Sequence, residues 1–455
     1  ISTGDTQNTN SNANVKKLLG HETNRTYRET YALTHRADWD FGNSMAFVQY
    51  EKTRNTRINE GLAGGTEGIF SNADFYTAVL RDLTAHGEVN LPLHAGVDQT
   101  LTLGSEWTQQ KLDDPSANTQ STSEGGSVAG LTGSGRSTSS SAQIFSVFAE
   151  DNIELFPGTM LTPGLRLDHH NVVGDNWSPS LNLSHALTDT LTLKAGIARA
   201  YKAPNLYQLN PNYLLYSRGQ GCYGQSTSCY LQGNANLKAE TSVNKELGIE
   251  YKADGVVAGL TYFRNDYKNK IESGLSPIGN AVGGTGTYAN AAIYQWENVP
   301  KALVEGLEGT LTLPLAEQLT WTNNFTYMLQ SKNKQTGDYL SVTPRYTLNS
   351  MLDWQATQDL SLQMSVAWYG KQTPKKFDYH GERVTGTANN QLSPYAITGV
   401  SGTYALTQHL SLTAGIDNLF DKRLFREGNA QGVANIAGAG AATYNGPGRT
   451  FYTSL

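Results

Sequence analysis

The chain has 455 residues, a formal net charge of −6 and a mean hydropathy of −0.44. The acidic balance argues against a nucleic-acid partner, which would need a basic footprint. No run approaches the roughly 20 consecutive apolar residues of a membrane-spanning helix, but strands that cross a membrane are apolar only at every second position, so they are not excluded.

Taken in chain order, residues 1–20 are polar and begin at Ile1 with no charged or apolar leader. A signal peptide is therefore expected to lie outside this stretch or to have been removed. From there the dominant period is 2. Leu191–Ile197, Leu360–Trp368 and Leu410–Ile416 each place apolar side chains at alternate positions, and Leu319–Tyr327 does so with one polar interruption, which gives a strand one apolar and one polar face. Eight short breaks divide such runs in pairs, near 38–43, 92–98, 156–159, 187–190, 253–255, 314–318, 357–359 and 407–409. Longer polar, Gly-rich stretches lie between the pairs, at roughly 53–75, 109–141, 168–178, 201–240, 267–300, 330–343, 370–393 and 421–447. Short turns alternating with long loops are the pattern of a transmembrane antiparallel β-barrel, turns on the inner side and loops outside. Eight hairpins and a last run at 449–455 predict about seventeen strands. Single-chain bacterial barrels usually have an even number, so further strands are expected before Ile1. A soluble sandwich would rarely carry eight long loops on one side, and the short repeat of a β-helix is missing. The 46 Gly and 24 Tyr suit turns, loops and aromatic girdles.

Cys222 and Cys229, the only cysteines, lie within Gly221–Tyr230 and predict a loop disulfide made in an oxidising compartment. His169 and His170 are adjacent, so on a strand they face opposite ways and cannot chelate one ion. No protein metal ligands are expected. No G-x-S-x-G, phosphate loop or C-x-x-C occurs, and enzymatic activity is not expected.

Several segments resemble the TonB-dependent outer-membrane receptors. Ile416-Asp-Asn-Leu-Phe-Asp-Lys-Arg423 is similar to the motif before that family's last loop, and Gly448-Arg-Thr-Phe-Tyr452 to its closing strand. Ile197–Tyr207 followed by Asn236–Thr241 resembles the mid-barrel signature. Gly61–Gly68, Asn210–Tyr216, Gly219–Tyr223, Asn298–Gly306 and Tyr369–Lys376 look like the ferric enterobactin branch. The resemblance runs nearly end to end. It implies that residues 1–455 are barrel domain, about 17 of an expected 22 strands. It places the family's N-terminal plug outside this chain and implies that a few residues are missing after Leu455. It also implies a Gram-negative outer-membrane location among lipid and lipopolysaccharide, and TonB as a partner reached through the plug. The implied ligand is a ferric catecholate siderophore of the enterobactin kind, with bacteriocins or phages as candidate further ligands. No cofactor is expected, because iron arrives caged in the siderophore. A passive outer-membrane porin is the alternative; its loops would not need clustered Tyr and Arg.

A ferric tris-catecholate combines three negative charges with flat aromatic faces, so its receptor needs cations and aromatics near the barrel mouth. The first hairpin offers Arg25, Tyr27 and Arg28 entering and Arg54 and Arg57 leaving. With the turn centred on Gly42/Asn43, Arg28 falls opposite Arg57, and parity sends both inward, away from Tyr31, Leu33, Val48 and Tyr50. Ordinary lumen cations paired with Glu29 and Glu51 are the other reading. The resemblance adds Tyr27, Trp39 and Phe70 to the ligand set, although Trp39 sits at the short turn, where a girdle aromatic is expected. The disulfide loop supplies Tyr213, Tyr216, Arg218, Tyr223 and Tyr230, as ligand-stacking or loop-packing aromatics. Lys371, Lys375 and Lys376 form a third basic patch that a solvated charge run explains equally well.

Overall fold

A computed structural model describes residues 22, 24–58, 75–115, 122–131, 137–217, 223–224, 227–377, 381–422 and 447–455. It forms nearly all antiparallel strands. The first four are β1 (Asn24–Trp39), β2 (Gly42–Ile58), β3 (Phe75–His94) and β4 (Asp98–Asp113). β5 (Ser139–Phe156), β6 (Thr159–His170), β7 (Gly174–Ala186) and β8 (Leu191–Lys202) continue the sheet. Two short strands, β9 (Leu214–Ser217) and β10 (Cys229–Gln232), precede β11 (Glu240–Ala253), β12 (Val256–Ser273), β13 (Gly279–Asn280) and β14 (Ala292–Ala316). β15 (Leu319–Asn333), β16 (Tyr346–Gln355), β17 (Leu360–Tyr369), β18 (Tyr395–Thr407), β19 (Leu410–Asp417) and β20 (Thr450–Ser454) complete the series.

Setting aside β9, β10 and β13, each strand pairs with its neighbour in chain order, so seventeen strands make one antiparallel sheet. Among the described residues β1 pairs only with β2 and β20 only with β19, leaving the sheet open. All eight short breaks are hairpin turns. The stretch 168–178 is a correction: it is not a long loop, because β6 runs to His170 and β7 restarts at Gly174. Asp168, Asn176 and Ser178 belong to the sheet's polar face, while His169 and Asp175 pair with each other on the outer one at 2.6 Å. Asp168 pairs in register with Asn176, and the tight turn is closed when His170 Nδ1 accepts from the backbone N–H of Val172 (3.0 Å) and Val173 (3.3 Å). The stretch 267–300 was likewise over-assigned to loop, since β12 and β14 remain paired up to Ser273 and Trp296.

The two faces differ as the alternation demands. One lateral row reads Leu33, Val48, Ala85, Trp107 and Phe145 across β1 to β5. Leu33 is 78% exposed, and Val48 and Phe145 are also exposed, which suits contact with lipid. The opposite face carries Phe47, His86, Glu106, Ser146 and Asp168 in one row. There Arg166 donates to Asp168 (2.8 Å), Ser146 (2.9 Å) and Glu106 (3.0 Å), a charge-assisted network on the polar face.

Fully buried apolar side chains gather beyond the sheet, at the long-loop end. β9 pairs with β10, β10 runs parallel to the start of β14, and β13 pairs with β14. A bridge from Ser127 to Val282 ties in the 122–131 segment. This loop layer encloses Val128, Leu214, Tyr216, Tyr230, Ala281, Ala291 and Ile293. Burying each large side chain stabilises the layer by roughly 1.5–3 kcal/mol, so the loops are packed structure on top of the sheet.

Candidate ligand-binding site

The first hairpin closes at Asp40-Phe41, with Trp39 opposite Gly42. This corrects the expected turn centre by two residues and the pairing by four. Arg28 stands opposite Thr53, and Arg57 opposite Asn24. An even shift preserves parity, so both arginines still face the polar side, but four residues separate their rows, about 13 Å along the strand. Gly42 explains the misplacement. It attracts a turn assignment, yet it is glycine because β3 passes against it: its φ is +146°, and a Cβ there would lie 2.0 Å from the Asn90 carbonyl oxygen.

Arg28 is held by β2. Its Nε lies 3.3 Å from Glu51 Oε1 and 3.4 Å from Thr53 Oγ1. Arg57 stands nearer the loop end, its guanidinium 5.0 Å from the Tyr76 ring centroid. Tyr27 is not with them. As Arg28's neighbour on a strand it faces the opposite, outer side, between Arg25 (6.0 Å) and Arg54 (5.3 Å). Trp39 lies at the short-turn end, stacked on Phe41 at 5.9 Å and donating to Ser44 Oγ at 2.8 Å. Eleven residues separate it from Arg28, about 36 Å along β1, so it cannot share a site with the arginines. Phe70, Arg218 and Cys222 lie outside the described residues. Cys229 is disulfide-bonded, and Cys222 is the chain's one other cysteine.

The disulfide-loop tyrosines divide. Tyr216 and Tyr230 are 1% and 0% exposed and pack on each other at 5.1 Å in the loop core. The Tyr230 hydroxyl donates to the Gly126 carbonyl at 2.7 Å, and burial pushes its phenol up to about 12. Neither ring offers a face to a ligand in this arrangement. Tyr223 is partly buried beside Cys229 and Tyr294. Tyr213 is half-buried and meets Tyr207 edge-on at 5.5 Å. Of the third patch, Lys376 is tied to the neighbouring loop, its backbone N–H donating to Asp338 Oδ1 at 2.8 Å and its Nζ to the Gly337 carbonyl at 3.3 Å.

Tyr207 and Asp114 are the residues that the loop-by-loop reading missed. A helical turn, Leu206–Leu209, is capped reciprocally: Gln208 N–H donates to Asn205 Oδ1 (2.8 Å), and Asn205 N–H to Gln208 Oε1 (2.9 Å). That capping box, legible as Asn-x-x-Gln, fixes Tyr207. Its hydroxyl donates to Asp114 Oδ2 at 2.6 Å, and Asp114, just past the end of β4, is 2% exposed. Burial, then the Asp114 carboxylate, hold the Tyr207 phenol far above its ordinary value, while the nearby charge of Arg57 acts against that rise. Burial raises Tyr213 as well, with Asp114 as the second cause. Arg57, Tyr76, Asp114, Tyr207 and Tyr213 thus gather at the loop end of the polar face: a cation, a buried carboxylate and aromatic rings.

Comparison with known proteins agrees with this architecture. The family described as TonB dependent receptor-like, beta-barrel matches residues 2–419. The chain is 81% identical to the ferric enterobactin receptor of Pseudomonas aeruginosa, over 100% of this chain and 61% of that protein. It is 58% identical to the ferrienterobactin receptor of Escherichia coli K12, over 99% of this chain and 62% of that one. It therefore spans about three fifths of the curated relatives' length. Among solved structures, an arginine-to-alanine variant of the Pseudomonas aeruginosa receptor in complex with enterobactin superposes with a TM-score of 0.92 at 79% identity, covering 99% of this chain and 65% of that one. By these matches and by its seventeen paired strands, the chain belongs to the TonB-dependent receptor β-barrel family.

Proposed function

We propose that these residues are the barrel of an outer-membrane receptor that binds ferric enterobactin, or a close ferric tris-catecholate, at its loop end for TonB-driven import. The observation that carries this reading is the place of Arg57: on the polar face, under the loop layer, with Tyr76 on one side and the Tyr207–Tyr213 pair near its charge. A trianionic complex descending between the loops meets a cation there and rings able to stack on its catechols. Arg28, deeper and half-neutralised by Glu51, is a second station on the same face. The relatives named above as enterobactin receptors support the ligand class. Import would require the plug that their greater length accommodates: TonB pulls on it, and the complex passes inward. Iron is cargo throughout, caged by the siderophore, and no catalytic step is needed.

The test is quenching of intrinsic fluorescence by ferric enterobactin in the full-length receptor carrying this barrel. Arg57→Ala should weaken binding about tenfold, the loss of one partly exposed charge-assisted contact; Arg28→Ala should cost less. Unchanged affinity in the double variant would remove both arginines from the site, and equal affinity for a ferric hydroxamate would refute the ligand class.

A further inference from the structure

We propose that Lys52, Arg81 and Lys111 form an outward-facing binding row for the phosphorylated headgroup of an outer-leaflet lipid. The register places the three directly beside one another on β2, β3 and β4: Lys52 pairs with Arg81, and Arg81 with Lys111. Adjacent strands lie about 4.8 Å apart, so three cations share a lateral span of about 10 Å. Like charges directly opposed across strands are unfavourable unless something compensates them. Among the described residues none of the three has a carboxylate within ion-pair distance. Glu29, which ends the row on β1, is taken by Arg54 at 3.4 Å, and Asp113, one row above, accepts from Thr138 and Ser139.

The row's height identifies the missing counter-charge. It lies on the same face as Leu33, Val48 and Phe145. The row immediately below it is Tyr31, Tyr50 and Leu83, and the other end of that apolar band is marked by Trp39 and Phe41. Trp39 to the cation row is ten residues, about 33 Å along the strand, or about 25 Å of height at the roughly 40° tilt of a barrel strand, which matches the roughly 25 Å height of its lipid-facing band. The cations therefore stand just above the hydrocarbon on the loop side, at headgroup level, where an anionic lipid presents phosphate. Two rows of apolar and aromatic side chains beneath them would receive its acyl chains. Lys268 and Lys301 also oppose one another on the outer face, but as a pair and not a row of three, and beside them Asp266 lies between Lys245 (3.3 Å), Arg264 (2.9 Å) and Lys334 (2.9 Å).

The experiment uses the full-length receptor in detergent, with bisphosphorylated lipid A, its dephosphorylated form and inorganic phosphate as probes, and native mass spectrometry as readout. The triple variant K52Q/R81Q/K111Q should bind the phosphorylated lipid about a hundredfold more weakly, while K245Q/R264Q/K334Q, the far-side cations whose charge Asp266 already offsets, should match the parent. Folding is checked independently by heat-modifiable electrophoretic mobility. If the triple variant fails that check, R81Q alone, the centre of the row, is measured and should lose about fivefold. Retained lipid binding in the folded row variant would overturn the proposal. So would equal loss in the far-side control, equally tight binding of dephosphorylated lipid, or full displacement by equimolar inorganic phosphate.

Discussion

Asp114 shows how a single carboxylate organises the loop end. It is nearly inaccessible and accepts from a phenol whose own turn is capped by Asn205 and Gln208. Removing it leaves the Tyr207 hydroxyl without its acceptor. Asp114→Ala should therefore destabilise the loop layer by about 1–3 kcal/mol while leaving the sheet intact. Hydrogen exchange checks this: amides in 203–217 should exchange faster, and those in β3 and β4 should not change. The same pair sets a pH response. Folding favours the neutral Tyr207 phenol and so raises its pKa above the unfolded value near 10. The contribution to stability is then complete below pH 10 and disappears as the pH climbs through the raised folded value. Between pH 6 and pH 9 the loop layer should be insensitive to this group. Tyrosinate absorbance in the folded protein should rise later than in a Tyr207→Phe, Tyr230→Phe variant scaled for its two missing phenols; coincident curves would contradict the burial of these groups. At this scale the sequence was only partly legible. The Tyr–Arg richness of 201–240 pointed to the right region, but nothing in a list of tyrosines separates Tyr216 and Tyr230, which fill the loop core, from Tyr213, which does not. That separation depends on packing against 122–131 and 279–293, segments remote in sequence.

Strand pairs were easier to read than their registers. A period of 2 assigns each side chain to a face, and the face survives any even slip, which is why Arg28 and Arg57 were rightly sent inward although they do not oppose one another. The register itself depends on which residues occupy the turn, and Gly42 was misread because its reason lies on β3. This makes Gly42 a sensitive position. Gly42→Ala adds a Cβ where the Asn90 carbonyl already sits, at a φ few side chains adopt, and strain of this kind costs of order 1–3 kcal/mol. The β1–β2 turn should pull away from β3, lowering the thermal midpoint of the full-length receptor. Gly96→Ala, in the next turn, has a positive φ of +87° but meets no atom within 4 Å, so it should cost less. Equal losses at the two positions would assign the effect to backbone conformation alone. The loop at 168–178 was misjudged for a related reason. Polar residues on strands that rise past the lipid have the composition of a loop on either face, as with Asp168 inside and His169 and Asp175 outside, so composition alone places the boundary too early.

For the whole molecule, the repeated alternation of short turn and long loop was enough to count seventeen strands, because hydrogen-bonded neighbours in chain order need no long-range information. Closure could not be read this way, since it depends on two edges far apart in sequence. Among the described residues β1 and β20 each have one partner, so each presents a row of unpaired N–H and C=O groups. In hydrocarbon every such group costs several kcal/mol, which is why membrane-spanning sheets close on themselves. A protein cut to these 455 residues should therefore fail to form a stable barrel. Refolded into detergent, it should run at the same electrophoretic position with and without heating and should associate through its edges. A longer chain that supplies partners to β1 and β20 should show the faster unheated band of a closed ring. A compact, heat-modifiable monomer from the 455 residues alone would mean that β1 and β20 can meet directly, and that seventeen strands suffice to close the wall around the Arg57 site.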